Sequence, residues 1–189
     1  MKKKIRLYTY QSKNKVDELL STGLLKMTDK DMPNTFYNVF KDVNAEFLYY
    51  FLSETMKEKI SKDSDIKSPI WAWYKYNGRY KPTRKHDLNN KNLYRIDFEI
   101  DSSKVLLTDF NMYSYFLVGC TCYKTKEEHD QYLSQYMVSK NELFSTYRQM
   151  LNIDIKKDTE YTFSNRHSTI QATLWKITKD MVVKITEIK

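Results

Sequence analysis

Alternation of apolar and polar residues marks the strands of this chain. Residues 5–10 and residues 93–100 alternate most regularly, so that every second side chain faces one side, as in a strand with one buried face. Shorter apolar or aromatic runs predict further strands at residues 69–74, 105–107, 168–175 and 181–188. The predicted strands are therefore spread over the whole chain.

Helical spacing of apolar residues occupies two segments between the first strands. Ser12 can cap a helix that buries Val16 and Leu19, and Gly23 stands just past its end. A longer helix is predicted over residues 44–60, because its apolar residues recur every three or four positions. That regular stripe predicts packing against the core.

The order of these elements predicts the fold class. A third helix over residues 110–118 can be capped by Thr108 or Asp109, and the chain shows no internal repeat. This order favours an α+β fold with a mixed, mostly antiparallel sheet flanked by helices. With 189 residues, of which 41% are hydrophobic, the chain suits one domain spanning residues 1–189.

Composition excludes several classes of protein. The three glycines lie too far apart for a glycine-rich phosphate loop. No run of about 18 apolar residues is present, so we expect no membrane partner, and the basic start lacks the apolar segment of a signal peptide. With only two cysteines, Cys120 and Cys122, and three scattered histidines, we expect a cytoplasmic protein with reduced thiols and no metal site.

The chain is strongly basic, which favours an anionic partner. Its net charge is +8, and residues 75–95 are predicted to form a basic loop between two strands. Arg79, Lys81, Arg84 and Lys85 are the candidates there for contacts with a nucleic-acid backbone. The alternative is a solvated loop: the chain has 26 lysines but 6 arginines, whereas proteins that bind phosphates in a bidentate manner are usually richer in arginine.

Four blocks of the sequence carry a resemblance to a family. They are residues 7–11, the aromatic block Pro-Ile-Trp-Ala-Trp-Tyr at residues 69–74, residues 105–110 and residues 170–173. Over nearly all of residues 5–188 the chain resembles an uncharacterised bacterial family of unknown function. That resemblance by itself implies no activity.

The order of three features also resembles ADP-ribosyltransferase-like domains. They are the strand at residues 5–11, the short helix that ends in a Gly-Leu step at residue 23, and a late strand that contains Gln171. The resemblance implies an ADP-ribosyltransferase-like fold in which the first strand holds NAD, the substrate, and the late strand binds the ribose next to the nicotinamide. The first-strand residues assigned to NAD in this way are Arg6, Thr9 and Gln11.

Aromatic and polar candidates complete this predicted site. Trp73 and Tyr74 would line the nicotinamide pocket, and Gln171 is the candidate catalytic residue; the alternative for Trp73 is core packing against the predicted helix at residues 44–60. Thr9 stands where the superfamily often has histidine, and Gln171 where it often has glutamate. A neutral amide can hydrogen-bond a ribose hydroxyl, but it cannot act as a carboxylate base.

Two functional hypotheses follow. In the first, the protein binds NAD and transfers ADP-ribose to a macromolecule. Nucleic acid is a candidate acceptor, and bacterial toxins and phage-defence effectors are the analogy for such a protein. In the second, it is a non-catalytic nucleic-acid-binding module that uses residues 75–95. A protein partner is compatible with both. The first hypothesis requires the strands of Thr9 and Gln171 to lie side by side and, with Trp73, to line one slot.

Overall fold

The computed structural model describes residues 3–28, 45–60, 68–80, 83–117, 127, 145–151, 153 and 169–189. Its first strand, β1 (Lys4–Gln11), and first helix, α1 (Lys13–Thr22), form where the sequence predicts them. The Ser12 hydroxyl caps α1 by accepting a hydrogen bond from the backbone N–H of Lys15. Gly23 ends the helix with φ of 78°, a left-handed conformation that glycine adopts without strain.

The other predicted elements also occur in the predicted order, together with two three-residue strands and one five-residue helix that the sequence pattern does not predict. The strands are β2 (Leu24–Lys26), β3 (Ile70–Lys75), β4 (Tyr94–Asp101), β5 (Leu106–Asp109), β6 (Ile170–Leu174), β7 (Lys176–Thr178) and β8 (Val182–Glu187). The helices are α2 (Ala45–Lys59), α3 (Arg84–Leu88) and α4 (Phe110–Leu117), with a 3-10 turn at Tyr147–Leu151. None of the described helices is long and apolar enough to cross a membrane.

Six strands form one sheet in the order β5-β6-β3-β1-β4-β8, and β2 pairs with β7 in a separate two-stranded sheet. Every pairing between the described strands is antiparallel. The α+β class and the mostly antiparallel sheet are thus confirmed, whereas the expected parallel component does not occur among these strands. The strand predicted over residues 168–175 corresponds to β6, which ends at a bend at Trp175, and β7 follows beyond the predicted range.

The large sheet consists of two halves that meet at a single residue pair. β1 pairs with β4 along its full length of eight residues, and β3 pairs with β6 along most of its length. Between β1 and β3, however, the described pairing is confined to Tyr8 and Trp73. The half-sheets β5-β6-β3 and β1-β4-β8 therefore join at this pair, which we call the junction.

Helices pack on both faces of the sheet. On one side, the α1 face, Val16 and Leu19 pack with strand residues that include Leu7, Ile96 and Phe98. On the other side, the α4 face, apolar side chains of α2, α4 and the 3-10 turn pack together with residues of β5. Three buried apolar residues of α2, at helical spacing, confirm the stripe that the sequence predicts, and they are Leu48, Leu52 and Met56.

The basic segment at residues 75–95 differs from the predicted loop. Its first part is a tight turn whose central residues, Asn77 and Gly78, have positive φ values of 48° and 73°. The residues on either side of them exchange both backbone hydrogen bonds, as in a two-residue hairpin turn. Arg84–Leu88 then form α3, and Lys81 lies outside the described residues. An Asn-Gly pair is the usual sequence for such a turn, because both residues tolerate positive φ.

Candidate functional site

One row of side chains crosses the whole six-stranded sheet on the α4 face. We call it the cross-strand row, and its members, which stand opposite one another on successive strands, are Lys184, Asp97, Tyr8, Trp73, Gln171 and Thr108. Directly opposite residues of antiparallel strands point to the same face, with their Cβ atoms about 4.5–5.5 Å apart. The row therefore passes through the junction and links both half-sheets.

The Gln171–Thr108 end of the row contains two buried polar atoms that have no hydrogen-bond partner within the described residues. They are Gln171 Nε2, which can only donate, and Thr108 Oγ1, which can donate and accept. The two residues are 4% and 0% exposed. An unsatisfied buried group of this kind costs about 1–3 kcal/mol, and a ligand atom that supplies the partner recovers that free energy.

Trp73 is the half-buried neighbour of Gln171 in the row, and two other rings hold its indole. Phe110, the first residue of α4, meets the indole edge to face, with ring centroids 4.9 Å apart and an interplanar angle of 76°. Tyr76 lies 6.4 Å away at 81°. Such edge-to-face contacts favour one orientation of the ring. Trp71, by contrast, packs against the core of the α4 face, which includes buried residues of α2.

Beyond the junction, hydrogen bonds and ion pairs connect the polar side chains. Arg95 donates from Nη1 to Asp87 Oδ2 at 2.7 Å and from Nε to Asp97 Oδ2 at 3.1 Å. The Tyr10 hydroxyl donates to Asp87 Oδ1. We call these four residues the Arg95 network. It ties α3, which carries Asp87, to β1 and β4.

Burial beside the network raises the pKa of two tyrosines above the ordinary value of 10.0. Burial is the main cause for Tyr8, and the negative charge of Asp87 adds to the rise in its pKa. Burial again comes first for Tyr10, followed by the hydrogen bond that its hydroxyl donates to Asp87. Burial lowers the pKa of Arg95, but its contacts with Asp87 and Asp97 outweigh burial and raise that pKa overall. The network therefore combines neutral phenols with a charged guanidinium at neutral pH.

Thr9 and Gln11 lie on the opposite side of the sheet from the row. Consecutive residues of a strand point to opposite faces, so the register at the junction directs Thr9 to the α1 face. The Thr9 hydroxyl donates to the Trp71 carbonyl at 2.6 Å, and Gln11 Nε2 donates to Thr9 Oγ1 at 2.9 Å. The structure thus brings Trp73 and Gln171 together on one face without Thr9.

The strands of Thr9 and Gln171 are not neighbours, because β3 lies between β1 and β6. The expectation that these two strands lie side by side, and that Thr9 lines one slot with Trp73 and Gln171, is therefore not met. The reason is that pairing partners are set by tertiary contacts, which the alternation within each strand does not reveal. The three strands β1, β3 and β6 are nevertheless consecutive in the sheet, and they meet at the junction.

The remaining candidates for NAD contact are divided between the two faces. Arg6 is exposed on β1 and stands opposite Glu99, and its even spacing from Tyr8 places it on the face of the row. Tyr74 directly follows the row residue of β3, so it points to the α1 face. There it packs against the core and meets Tyr80 edge to face at 5.2 Å. Arg6 therefore accompanies the row, and Tyr74 does not.

The candidates for nucleic-acid contact differ in their exposure and in the element that carries them. Arg79 and Arg84 are exposed, Lys85 lies in α3, and Lys81 is outside the described residues. Arg95, which the sequence places in the same basic segment, is engaged in the Arg95 network instead. The free charge of this segment is therefore smaller than its composition indicates.

The structure assigns a capping role to the buried carboxylate of Asp109. Its Oδ1 accepts hydrogen bonds from the backbone N–H groups of Asn111 at 2.9 Å and Met112 at 3.2 Å, which confirms the predicted cap of α4. Among the described residues, no group of three histidine, cysteine, aspartate or glutamate side chains is placed to hold a metal ion. Cys120 and Cys122 lie outside those residues.

Sequence reasoning missed Tyr8 and Thr108 as members of the site. Alternation within each segment places Tyr8 on the side of Arg6, and it places Thr108 on the side of Leu106. That signal was present in the sequence. The register that aligns the two residues with Trp73 and Gln171 depends on strands distant along the chain, so no local pattern could have supplied it.

Comparison with known proteins places the chain in a family. The profile of the family described as "Domain of unknown function (DUF3841)" matches residues 6–183, a range that spans the junction, the Arg95 network and the Gln171–Thr108 end of the row. The chain belongs to the DUF3841 family. Neither a curated protein nor a solved structure matches it. The resemblance to a family of unknown function is thus confirmed, and the function of this DUF3841 domain must be argued from its own residues.

Proposed function

We propose that the protein is an ADP-ribosyltransferase-like domain that binds NAD, as a substrate, at the junction and the Gln171–Thr108 end of the cross-strand row. The order of the sheet supports this proposal, because the strands that the resemblance assigns to NAD and the strand with the aromatic block are consecutive. A sheet that joins at one residue pair also suits an elongated ligand, since each half can hold one part of it. The ADP-ribosyltransferase-like fold is part of the same proposal.

The observation that carries the proposal is the buried Nε2 of Gln171, which has no hydrogen-bond partner among the described residues and belongs to the residue opposite Trp73 on the neighbouring strand. An amide NH₂ group can donate to the oxygen of a ribose hydroxyl, and an indole can stack on a nicotinamide ring. On the next strand, Thr108 Oγ1 is a second buried group for which the described part of the chain supplies no partner. NAD offers the matching combination, because its flat nicotinamide ring is attached to a sugar with neighbouring hydroxyls.

Each residue of the proposed site has a separate role. Gln171 donates to one ribose hydroxyl, Thr108 exchanges a hydrogen bond with the next, and Trp73 positions the nicotinamide ring. Arg6, which is exposed on the same face, contacts a phosphate of the dinucleotide. The other three candidates, Thr9, Gln11 and Tyr74, have a supporting role on the α1 face, where the first two connect β1 to β3.

The proposed chemistry needs positioning more than it needs acid–base catalysis by Gln171. When the glycosidic bond of NAD breaks, nicotinamide leaves with the bonding electrons and the ribose becomes positively charged. Residues that hold both rings and exclude water favour this step. Gln171 is neutral, so its contribution is orientation of the ribose and not stabilisation by charge. We therefore expect tight positioning and slow turnover.

Calorimetric titration of the protein with NAD tests the proposal. We expect saturable binding to the wild-type protein, weakened about fivefold by Gln171→Met and by Thr108→Val, because each variant removes one hydrogen bond worth about 1 kcal/mol. Thr186→Val is the matched control. The Thr186 hydroxyl is also buried without a partner in the described structure, but it lies on β8, opposite Arg95.

Incubation with labelled NAD and cell extract then tests transfer. We expect label on a macromolecule, and we expect less of it with Gln171→Met but not with Thr186→Val. Absence of both binding heat and transferred label would overturn the proposal. Equal weakening by Thr108→Val and Thr186→Val would also contradict it, because the effect would then be unrelated to position in the row.

A further inference from the structure

A cluster of basic residues surrounds the end of the junction where β1 begins and β3 ends. Lys3 comes from the β1 side, and Lys75 and Arg79 come from the β3 side, beyond the last pairing of these two strands at Tyr8 and Trp73. We call these three residues, together with Tyr80, the basic mouth. Lys4 and Arg6 lie on the face of the cross-strand row, whereas Tyr80 contacts Tyr74 on the α1 face, so these two cations do not belong to the mouth. The mouth therefore receives positive charge from both sides of the junction.

Tyr80 presents an aromatic ring at the basic mouth. It is 58% exposed, so part of the ring is accessible to a partner. Its ring meets Tyr74 edge to face at 5.2 Å, and the Lys75 ammonium lies 4.7 Å from its centroid. A ring that is held by another ring and by a cation loses little conformational freedom when a further ring stacks on it.

The electrostatics of Tyr80 agree with this placement. A hydrogen bond from Lys75 and the positive charges of Lys75 and Lys3 lower the pKa of the Tyr80 phenol below its ordinary value, even though burial acts in the opposite direction. The lowered pKa means that the surroundings of Tyr80 favour negative charge. Lys3 and Lys75 come from the two different sides of the mouth, so this field is shared by both.

Exposed aromatic rings among cations are the features that bind single-stranded nucleic acid. Cations follow the phosphate backbone, and an aromatic side chain stacks on a base that is not engaged in a duplex. An acidic protein would use the cations and leave the ring of Tyr80 without a role. A duplex would offer phosphates but no free base. The combination at the basic mouth therefore favours a single strand.

We propose that the basic mouth binds single-stranded nucleic acid, with an unpaired base on Tyr80 and backbone phosphates on the cations from both sides of the junction. This surface differs from the segment at residues 75–95 that the composition favours. Arg95 is excluded by its ion pairs, whereas Lys3, which precedes β1, is included. The claim that the bound strand is the acceptor of ADP-ribose rests on the proposed function. The claim that a strand binds at the basic mouth is independent of it.

Fluorescence anisotropy with labelled 15-nucleotide oligo(dT) and oligo(U) tests the inference. We expect both, or one of them, to bind more tightly than a duplex of equal length. Tyr80→Ala should weaken binding of the single strand about tenfold, because stacking of one base is lost, whereas Tyr80→Phe should retain it. Comparison of the two oligonucleotides distinguishes DNA from RNA as the preferred strand.

Salt dependence tests the role of the cations. Arg79→Gln and Lys75→Gln should each reduce the slope of log affinity against log salt by about 0.7, the value for one phosphate contact with a single strand. Lys13→Gln is the matched control, because Lys13 is an exposed lysine that follows the opposite end of β1 and pairs with Asp17. It should leave the slope unchanged.

Three results would overturn the inference. They are equal affinity for single strand and duplex, equal weakening by Tyr80→Ala and Tyr80→Phe, and displacement of the oligonucleotide by poly-glutamate at the same charge concentration. NAD titration of the same variants keeps the two proposals separate. Binding of NAD without binding of oligonucleotide rejects this inference alone. Binding of oligonucleotide without NAD rejects the proposed function and leaves the basic mouth as a binding surface.

Discussion

The two ends of the cross-strand row differ in whether their buried polar groups have hydrogen-bond partners within the described structure. On the β1-β4-β8 half, Asp97 is bonded to Arg95, and Asp87 and Tyr10 complete the network. On the β5-β6-β3 half, Gln171 Nε2 and Thr108 Oγ1 are buried with no partner among the described residues. Both ends lie on one face of one sheet, so the difference is due to the side chains and not to their general environment.

This difference distinguishes residues that stabilise the fold from residues that we expect to hold a ligand. A satisfied network of charges stabilises the positions of the elements that carry it, whereas buried groups without partners lower the stability of the ligand-free protein. A residue that costs stability without a ligand is typical of a binding site. We therefore regard the Arg95 network as the support of the junction, and the Gln171–Thr108 end as the place where a ligand is held.

Arg95→Met is expected to give the largest effect. It leaves Asp87 and Asp97 partly buried without their cation, and removal of one member of such a network costs about 3 kcal/mol of the free energy of unfolding. Urea denaturation measures the loss. Lys13→Met, which removes an exposed cation, is the control and should leave stability unchanged. Equal stability of Arg95→Met and wild type would mean that the network does not support the junction.

Alkaline pH should lower the free energy of unfolding through two tyrosines of the same half-sheet. Tyr8 and Tyr10 have raised pKa values when folded, so above pH 10.0 they ionise in the unfolded chain while they stay protonated in the folded one. Stability is therefore unaffected below that pH and falls as pH rises beyond it. From pH 10 to 11 each tyrosine can lose at most about 1 kcal/mol, so the two together should lose about 1–2 kcal/mol after allowance for the solvent screening of Tyr10.

Tyr10→Phe sharpens this test, because it removes one of the titrating groups. The decline of stability with pH should be less steep in the variant, as measured by urea denaturation at several pH values. Burial also raises the pKa of Tyr147, to about 12, so Tyr147→Phe provides a second comparison outside the network. A decline of identical slope in the wild type and in Tyr10→Phe would contradict the account of the network.

Gln171→Met and Thr108→Val should raise the free energy of unfolding, whereas Arg95→Met should lower it. Each replaces a buried polar group that lacks a partner with an apolar group of similar shape, so the ligand-free protein should gain about 1 kcal/mol per substitution. Thermal unfolding would show this as a rise of about 2–4 °C for a chain of this length. Destabilisation by both variants would mean that these groups have structural partners, and the comparison between the two ends would fail.

Thr186→Val should give the smallest effect. Its hydroxyl is buried without a partner in the described structure, but the residue is only half-buried and lies on the edge strand β8. We expect a gain below about 1 kcal/mol in urea denaturation and no change in NAD affinity. A loss of NAD affinity in this variant would extend the ligand site across the junction and remove the contrast between the halves.

Much of the fold could be predicted from the sequence, because local patterns determine local structure. Ser12 and Gly23 delimit α1, alternation identifies β4, and the spacing of α2 identifies its buried stripe. The short strands β2 and β7 were missed, since three residues carry too little periodicity to be recognised. The helix α3 was also missed, because five residues within a basic segment have no apolar stripe.

The site could be predicted only in part. The aromatic block and the late strand are indeed neighbours, so Trp73 and Gln171 stand opposite each other as the first hypothesis needs. Thr9 was expected beside them, but the junction register turns it to the other face. A shift of one residue reverses the face of every side chain in a strand, and the register itself depends on partners far along the chain.

The most direct test of the central claim is thermal unfolding of the wild type and of Gln171→Met, each with and without NAD. The account predicts that the variant is the more stable protein without NAD. It also predicts that NAD raises the melting temperature of the wild type clearly more than that of the variant. A variant that is less stable than the wild type without NAD, or that gains as much stability from NAD, would contradict the claim that Gln171 is kept for a ligand.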